Sequence, residues 1–345
     1  MRARTLLHRS GAWLLLLGIA SGPAAGAESG FTSAADAGLV THDPPMLGPT
    51  ITVDALKAGA PLKIIGYGDT RFTYPSNTVD TNPRMRKFLV DRIADEAADA
   101  LFETGDLPLI GSAPWDWANF RKETAPWRAE GLRVFPTIGN HEVADDFYVG
   151  IRNYLAAFPS LKGCRYYSVL LGNVYLISID EFTPITRGAR QRDWLVSQLE
   201  HLPPQVDFVF LMDHMPLVDD LQSQVAVSLP ERQETELRSI LEAEKLKTRA
   251  LFVVLSGHIH NYERFQRGAI TYIVTGGGGA KPYPVLVRGP EDLFRDPRFP
   301  VFHYVVFLLH GTHLEATMYR VADPQAAAPK MEAADHFTLD APPPR

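Results

Sequence analysis

The sequence contains very little cysteine: Cys164 is the only one among 345 residues. A single cysteine excludes an internal disulfide, and the local sequence KGCRYYS supplies no obvious base to activate a thiol. We therefore interpret Cys164 as a small core residue. The sequence also lacks an internal repeat of about 20–50 residues. After the N-terminal region it has no apolar run of the roughly 20 residues that span a bilayer, so we expect no stable membrane insertion.

The N-terminal region has the pattern of a processing signal. Three arginines precede a short apolar run at residues 12–20, and Ala-Gly-Ala at residues 25–27 fits a cleavage site. We predict a signal peptide over residues 1–27 and a periplasmic or secreted protein. The alternative is an uncleaved anchor.

Positive charge is in deficit, with 34 Lys and Arg against 40 Asp and Glu. Removal of residues 1–27 takes away three arginines and no acid, which leaves 31 against 40 and a net charge of −9. This charge argues against nonspecific binding to nucleic acid and against anionic membrane surfaces. It leaves room for a local positive pocket that binds a phosphate group.

The chain changes character at residue 61. Residues 28–60 are rich in Gly, Ala, Pro and Thr and show little periodicity, so we interpret them as a loose N-terminal arm. Over residues 61–322, strand patterns alternate with helical ones, which predicts one α/β domain, and hairpin-like segments indicate mixed sheets. The Ala- and Pro-rich residues 323–345 are predicted to form a C-terminal tail.

Several predicted strands of this domain are followed by an Asp, Asn or His residue, and each of these residue types can bind a metal ion. The strand over residues 62–67 is followed by Gly-Asp, and similar apolar runs precede the other members of the set. The residues concerned are Asp69, Asp106, Asn140, His141, His214, His258 and His260. Ligands of α/β sheets gather at the carboxyl ends of strands, and carboxylate, amide and imidazole groups suit a divalent first-row metal. Alone each residue is weak evidence, but the ordered set predicts a metal centre.

This series, written GD, GD, GNHE, H and GHxH, resembles the calcineurin-like metallophosphoesterase superfamily. The segments GHIHNYER at 257–264, YIVTGGGG at 272–279 and RYYSVLLGNVYLISID at 165–180 look like its purple-acid-phosphatase branch. The resemblance covers roughly residues 62–320. It implies an α/β four-layer sandwich, with two mixed β-sheets flanked by helices.

The resemblance also implies roles for individual residues. It implies six metal ligands: Asp69 and His260 for the first ion, Asp106 as the bridge, and Asn140, His214 and His258 for the second ion. His141 matches the histidine that contacts the phosphate and aids the leaving group. Glu142 either orients His141 or starts a helix.

Two positions depart from the family pattern. Many members have Asp-x-His at the first motif, but here it is Asp69-Thr70-Arg71. The purple branch has Gly-Asp-x-x-Tyr at the second motif, but here Leu109 stands where that Tyr would be. Without a tyrosinate the protein should not be purple. We expect one or two divalent ions, Mn, Zn or Fe(II), with a weak first site.

Arg71 is the residue that these departures bring into question. A guanidinium cannot ligate a metal, but it can bind phosphate oxygens in a bidentate manner. We therefore predict that Arg71 acts in catalysis with His141. The alternative is a structural ion pair with a carboxylate.

These expectations define the predicted function. The resemblance implies a metal-dependent phosphoesterase that hydrolyses a small phosphate ester with a metal-activated hydroxide, and we favour phosphomonoesters. One alternative is a phosphodiesterase that acts on nucleotides or lipid head groups. Another is a binding protein with a degenerate site, because two groups typical of the first site are missing.

Overall fold

The computed structural model describes residues 50–53, 60–222 and 231–343. In this part of the chain there are fifteen strands, namely β1 (Thr50–Val53), β2 (Leu62–Tyr67), β3 (Ala100–Glu103), β4 (Arg133–Pro136), β5 (Tyr167–Leu171), β6 (Val174–Ser178), β7 (Phe208–Met212), β8 (Leu221–Gln222), β9 (Leu251–Ser256), β10 (Tyr262–Arg267), β11 (Ile270–Thr275), β12 (Val285–Val287), β13 (His303–His310), β14 (His313–Val321) and β15 (Met331–Asp340). The six α-helices of this part are α1 (Pro83–Asp95), α2 (Pro114–Glu123), α3 (Ala125–Ala129), α4 (Phe147–Ala157), α5 (Arg190–Glu200) and α6 (Glu231–Lys245). The signal peptide predicted for residues 1–27 lies outside the described residues.

The strands form two large mixed sheets. One has six strands in the order β15-β14-β13-β2-β3-β4, and β2, β3 and β4 are parallel. The other has seven strands in the order β1-β5-β6-β7-β9-β11-β10, and β6, β7, β9 and β11 are parallel. A small third sheet pairs β12 with β8. The carboxyl ends of parallel strands lie at the same edge of a sheet, and the predicted site residues follow those ends.

The two large sheets pack face to face through an aromatic core. Phe210 of β7 contacts Phe102 of β3 and Phe307 of β13, with ring centroids 5.4 and 5.1 Å apart. On the outer face of the six-stranded sheet, Tyr67 contacts Trp127 of α3. Helices α5 and α6 cover the outer face of the seven-stranded sheet through a separate apolar cluster that includes Trp194. The predicted four-layer α/β sandwich is confirmed.

Helix α1 shows how local sequence sets these layers. The Asn82 side chain accepts a hydrogen bond from the Met85 N–H at 3.1 Å, and Pro83 occupies the first turn, where its missing N–H costs nothing. The buried residues Met85, Leu89, Val90 and Ile93 follow the helical period. The helix ends at Asp95, because Ala97 adopts a left-handed conformation with φ of 50°.

The predictions for both ends of the domain need correction. Residues 50–53, placed in the loose arm, form β1 and pair with β5. The tail prediction is wrong for residues 331–340, because β15 pairs along β14 as the edge of the six-stranded sheet. An edge strand needs few apolar side chains, so hydrophobic periodicity did not indicate it.

Polar contacts fix strand β15 to the body of the protein, and Arg264 makes one of them. Arg264 donates hydrogen bonds to both carboxylate oxygens of Asp335, at 2.6 and 3.0 Å, and its guanidinium lies over the Phe337 ring. Strands β13 and β14 form an antiparallel hairpin, in line with the hairpin-like segments of the sequence. Among the described residues, no helix is long and apolar enough to cross a membrane.

Candidate metal centre

The eight predicted site residues lie together at the edge where the two sheets meet. In the six-stranded sheet, Asp69 and Arg71 follow β2, Asp106 follows β3, and Asn140 and His141 follow β4. In the seven-stranded sheet, His214 follows β7, and His258 and His260 follow β9. Direct contacts connect all eight residues, and the link between Asp69 and the others is the backbone N–H of His258. The carboxyl ends of parallel strands from both sheets therefore build one site.

Four site residues have strained backbones. Asp69, Arg71, Asp106 and His258 all have positive φ, at 57°, 47°, 60° and 66°. A residue other than glycine is destabilised by about 1–3 kcal/mol in the left-handed region, and it stays there only when surrounding contacts hold it. The N–H groups of Asp69 and Arg71 donate to the carbonyl oxygens of Gly105 and Asp106, both at 2.9 Å. The loops after β2 and β3 thus hold each other in the strained form.

Four ligand atoms form a compact group that we call the four-donor cluster: Asp106 Oδ1, Asn140 Oδ1, His214 Nε2 and His258 Nδ1. His214 Nε2 lies 3.3 Å from Asp106 Oδ1, 3.1 Å from Asn140 Oδ1 and 3.3 Å from His258 Nδ1. Asn140 Oδ1 lies 2.9 Å from His258 Nδ1. Metal–ligand bonds of about 2.0–2.1 Å place neighbouring ligands about 3.0 Å apart in an octahedron and about 3.4 Å apart in a tetrahedron. The cluster has the spacing of a metal coordination sphere.

Hydrogen bonds around the cluster show why it needs a cation. His214 Nδ1 donates to the Thr104 carbonyl oxygen at 2.8 Å, so His214 Nε2 carries a lone pair. The oxygens of Asn140 and Asp106 that face this nitrogen are also acceptors. Lone pairs only about 3 Å apart repel each other unless a cation or a proton lies between them. The donor set therefore fits a divalent ion.

A second group of donors lies beside the four-donor cluster. His260 Nε2 is 3.4 Å from Asp69 Oδ1, and Asp69 accepts the His258 N–H at 2.9 Å. His260 Nδ1 faces the Lys281 carbonyl oxygen at 2.6 Å, which leaves the buried Nε2 without a hydrogen-bond partner among the described residues. The carboxylates of Asp69 and Asp106 and the His214 ring offer ligand atoms within 4.8 Å of one another. The two groups of donors are thus continuous.

The electrostatics of the residues alone favour a cation. Burial raises the pKa of Asp69 to about 8. Burial acts in the same direction on Asp106, but the positive charges that His141 and His214 carry when protonated, with that of Arg71, outweigh it and hold the pKa of Asp106 well below its usual range. Burial lowers the pKa of His258 and His260 to about 3, so both rings are neutral near pH 7. Neutral imidazole is the form that binds metal.

His141 and Arg71 flank Asp106 on the side away from the four-donor cluster. Arg71 Nη2 lies 3.3 Å from Asp106 Oδ2, and His141 Nε2 lies 3.8 Å from the same oxygen. His141 is held by its Nδ1, which faces the Leu109 carbonyl oxygen, and by its N–H, which donates to Asp106 Oδ1 at 2.9 Å. Burial lowers the pKa of His141, with the Asp106 charge opposing this shift. His141 Nε2 is therefore directed into the site.

Glu142 has a role that neither sequence interpretation gave it. Its buried carboxyl accepts three backbone N–H groups, from Asp106 at 2.9 Å, Leu107 at 2.8 Å and Gly139 at 2.7 Å. No helix starts at Glu142, because α4 begins at Phe147, and the His141 ring is held by a carbonyl oxygen instead. Glu142 connects the loops that carry Asp106 and Asn140. Its place in GNHE was the only sequence signal.

Two glycines allow the close approach of these loops. A Cβ atom at Gly139 would lie 2.5 Å from Asp106 Oδ1, and one at Gly257 would lie 2.4 Å from Asp69 Oδ2. Any side chain at either position would displace a carboxylate of the site. The glycines of the GN and GH motifs, Gly139 and Gly257, are therefore sterically required at the centre.

Comparisons with known proteins agree with this geometry. The sequence profile of the calcineurin-like phosphoesterase family matches residues 62–262. A probable purple acid phosphatase 20 of Arabidopsis thaliana is 25% identical over 259 residues, which are 69% of this chain and 59% of that protein. A probable inactive purple acid phosphatase 9 of the same plant is 26% identical over 165 residues, 45% of this chain and 24% of that protein. The purple acid phosphatase PPD1 of yellow lupin, Lupinus luteus, has a TM-score of 0.66 at 16% identity, covering 86% of this chain and 55% of that one.

These matches differ in what they show. The chain spans 59% of the length of the first relative and 24% of the second. At 16% identity, the likeness to the lupin structure concerns the fold. The family profile covers more than half of the chain and includes every residue of the site described above. This chain belongs to the calcineurin-like phosphoesterase family.

Proposed function

We propose that this protein is a metal-dependent phosphoesterase that hydrolyses small phosphomonoesters. The observation that carries the proposal is the four-donor cluster, in which contacting atoms are 2.9–3.3 Å apart, beside the guanidinium of Arg71 and the imidazole of His141. Family members use a dinuclear metal centre, and the donor chemistry of this chain is suited to at least one such ion.

The residues divide into holders of the ions and groups that act on the substrate. Asp106, Asn140, His214 and His258 would hold one ion, and Asp69 and His260, with Asp106, would be the donors available to a second. When bound, such ions neutralise phosphate charge and lower the pKa of a bound water. The donors of the four-donor cluster are nitrogen and oxygen atoms without a thiolate, which suits Mn, Zn or Fe(II).

Arg71 and His141 would act on the ester itself. The Arg71 guanidinium is positioned to donate to a nonbridging phosphoryl oxygen and to stabilise its negative charge. His141 holds its Nδ1 proton against the Leu109 carbonyl oxygen, so its Nε2 is free to give a proton to the departing oxygen. This proton transfer requires the doubly protonated ring. The negative charge of a bound phosphate ester favours that form.

The substrate class and the cellular location are part of the same proposal. The pattern of residues 1–27 supports export to the periplasm or the medium. A phosphodiesterase is the enzymatic alternative, because the same constellation serves both ester types. A phosphate-binding protein with a degenerate site is the other alternative. Its support is the replacement of the usual His by Arg71 and of the usual Tyr by Leu109.

One comparison of substrates tests these candidates. Metal-loaded protein is assayed with p-nitrophenyl phosphate and bis-p-nitrophenyl phosphate over pH 5–9, beside His141→Ala as a control for contaminating phosphatase. We expect a higher kcat/KM for the monoester, and little activity in the variant. A preference for the diester would replace our proposal with a phosphodiesterase. Phosphate binding without hydrolysis of either compound would support the degenerate binding protein.

A further inference from the structure

Arg71 is built into the metal centre as firmly as the ligands are. Its side chain is only 12% exposed, and its Nη2 lies 3.3 Å from Asp106 Oδ2. Its backbone is fixed in the left-handed region, with φ of 47°, by a hydrogen bond from its N–H to the Asp106 carbonyl oxygen at 2.9 Å. A guanidinium held in this way is a permanent part of the site, because an arginine side chain keeps its charge in proteins.

The two oxygens of Asp106 have different neighbours. Oδ1 belongs to the four-donor cluster and lies 3.3 Å from His214 Nε2. Oδ2 lies toward Arg71 and His141, at 3.3 and 3.8 Å from their side-chain nitrogens. A carboxylate that bridges two ions must offer a lone pair to each of them. Here a guanidinium N–H already uses the oxygen that does not belong to the four-donor cluster.

Few donors are then left for an ion on this side of Asp106. They are His260 Nε2 and the carboxylate of Asp69, whose oxygens also accept the His258 N–H at 2.9 and 3.0 Å. Metal sites in proteins typically use at least three protein ligands. The four-donor cluster meets this requirement with four side chains, whereas the group beside it has only two that belong to it alone.

The charges of the site give the same result. Among the side chains that offer donor atoms to an ion, the buried carboxylates of Asp69 and Asp106 supply at most two negative charges, and Arg71 beside them supplies one positive charge. One divalent ion brings the positive total to three, and two such ions would bring it to five. A buried excess of that size is costly unless an anion accompanies it. Over these donor residues, the charge without substrate is therefore closest to balance with Arg71 and a single divalent ion.

We infer that Arg71 takes the place of the first metal ion, so that the substrate-free protein binds one divalent ion, at the four-donor cluster. The inference rests on the proposed function for the role of that ion. Arg71 then supplies the second positive charge that a phosphate ester meets. Its buried Nε has no hydrogen-bond partner among the described residues, so this N–H remains available to donate to an oxyanion.

Metal content per chain tests the inference directly. The full chain is loaded separately with Zn²⁺ and Mn²⁺, freed of excess ion and measured by elemental analysis. We expect one ion per chain in the wild type and in Arg71→Lys, which keeps the charge. Arg71→His removes the permanent charge and supplies an imidazole, so we expect two ions. Arg92→His makes the same exchange on the exposed surface of α1 and should leave the value at one.

A spectroscopic measurement and a second variant keep the test decisive if one variant folds poorly. Electron paramagnetic resonance of the Mn²⁺ form should show an isolated ion in the wild type and a spin-coupled pair in Arg71→His. Arg71→Gln, which removes the charge and adds no strong ligand, serves if Arg71→His fails to fold, and should hold a second ion more weakly. Two tightly bound ions in the wild type would overturn the inference. One ion in every folded Arg71 variant would also overturn it.

These outcomes are separate from those of the proposed function. One ion per chain without any ester hydrolysis would leave the inference standing and refute the enzyme. Hydrolysis by a wild-type protein that holds two ions would leave the enzyme standing and refute the inference. Neither result depends on the turnover of an Arg71 variant.

Discussion

Replacement of Glu142 by Gln should loosen the metal centre and the fold together. Two of its three backbone hydrogen bonds, from Asp106 and Gly139, end on Oε2, and the third, from Leu107, ends on Oε1. The amide of Gln has one acceptor oxygen. If that oxygen takes the Oε2 position, the two shared bonds survive and the new NH₂ group opposes the Leu107 N–H.

The expected magnitude follows from this count. One buried donor left without an acceptor costs about 1–3 kcal/mol, so Glu142→Gln should lower the free energy of unfolding by that amount. Glu142→Ala leaves all three donors without their acceptor and should cost about 3–6 kcal/mol, because such losses are not fully additive. Groups that orient metal ligands change metal affinity about 10–100-fold when lost, and we expect this range for Glu142→Gln.

Urea unfolding of the metal-free protein measures the first quantity, and competition with a chromogenic chelator measures the second. The matched control is Glu291→Gln, since the Glu291 side chain is 60% exposed and pairs with the surface residue Arg267. Its unfolding free energy should stay within about 0.5 kcal/mol of the wild type. If Glu142→Gln matched this control in both stability and metal affinity, our account of how the loops are held would be refuted.

Three further changes have separate outcomes. His141→Ala should lower kcat by about 10²–10⁴-fold while metal content stays constant, whereas loss of the metal would make His141 a ligand. Asn140→Ala should weaken metal binding by at least about 100-fold in a chelator competition, and unchanged affinity would remove Asn140 from the cluster. Burial lowers the pKa of His303 to about 4 from an unfolded value near 6.5, so the unfolded chain binds the proton more tightly. Stability should therefore fall by about 3 kcal/mol between pH 6.5 and 4, and urea titrations of His303→Gln should lack this part of the loss.

The sequence predicts the order of the site because chain order and strand polarity are coupled. Asp69, Asp106 and Asn140 each follow a parallel strand of one sheet, and His214 and His258 each follow a parallel strand of the other. Short apolar runs that end in polar residues can be recognised in the amino-acid sequence alone. The packing of the two sheets then brings the ends together, and the structure places all the predicted residues within one group of contacts.

Other features depend on three-dimensional contacts that a pattern does not carry. Strand β15 has little apolar periodicity and is held by pairing with β14 and by the contact between Arg264 and Asp335. The function of Glu142 depends on loops 36 residues apart along the chain, which only the fold brings together. The lone pair on His214 depends on the Thr104 carbonyl oxygen, a backbone group that any residue could supply. Several of these contacts involve backbone atoms, which every residue type has, and the others depend on which distant residues the fold brings together.

Removal and return of the metal tests the central claim most directly. The purified protein is treated with a chelator, freed of it, and assayed with p-nitrophenyl phosphate as Mn²⁺, Zn²⁺ or Fe²⁺ is added back, with bound metal counted at each step. Our account predicts that hydrolysis disappears with the metal and returns as the four-donor cluster fills, and that His214→Ala fails to recover it. Hydrolysis that persists in metal-free protein, or no hydrolysis by protein fully loaded with any of these ions, would contradict the account.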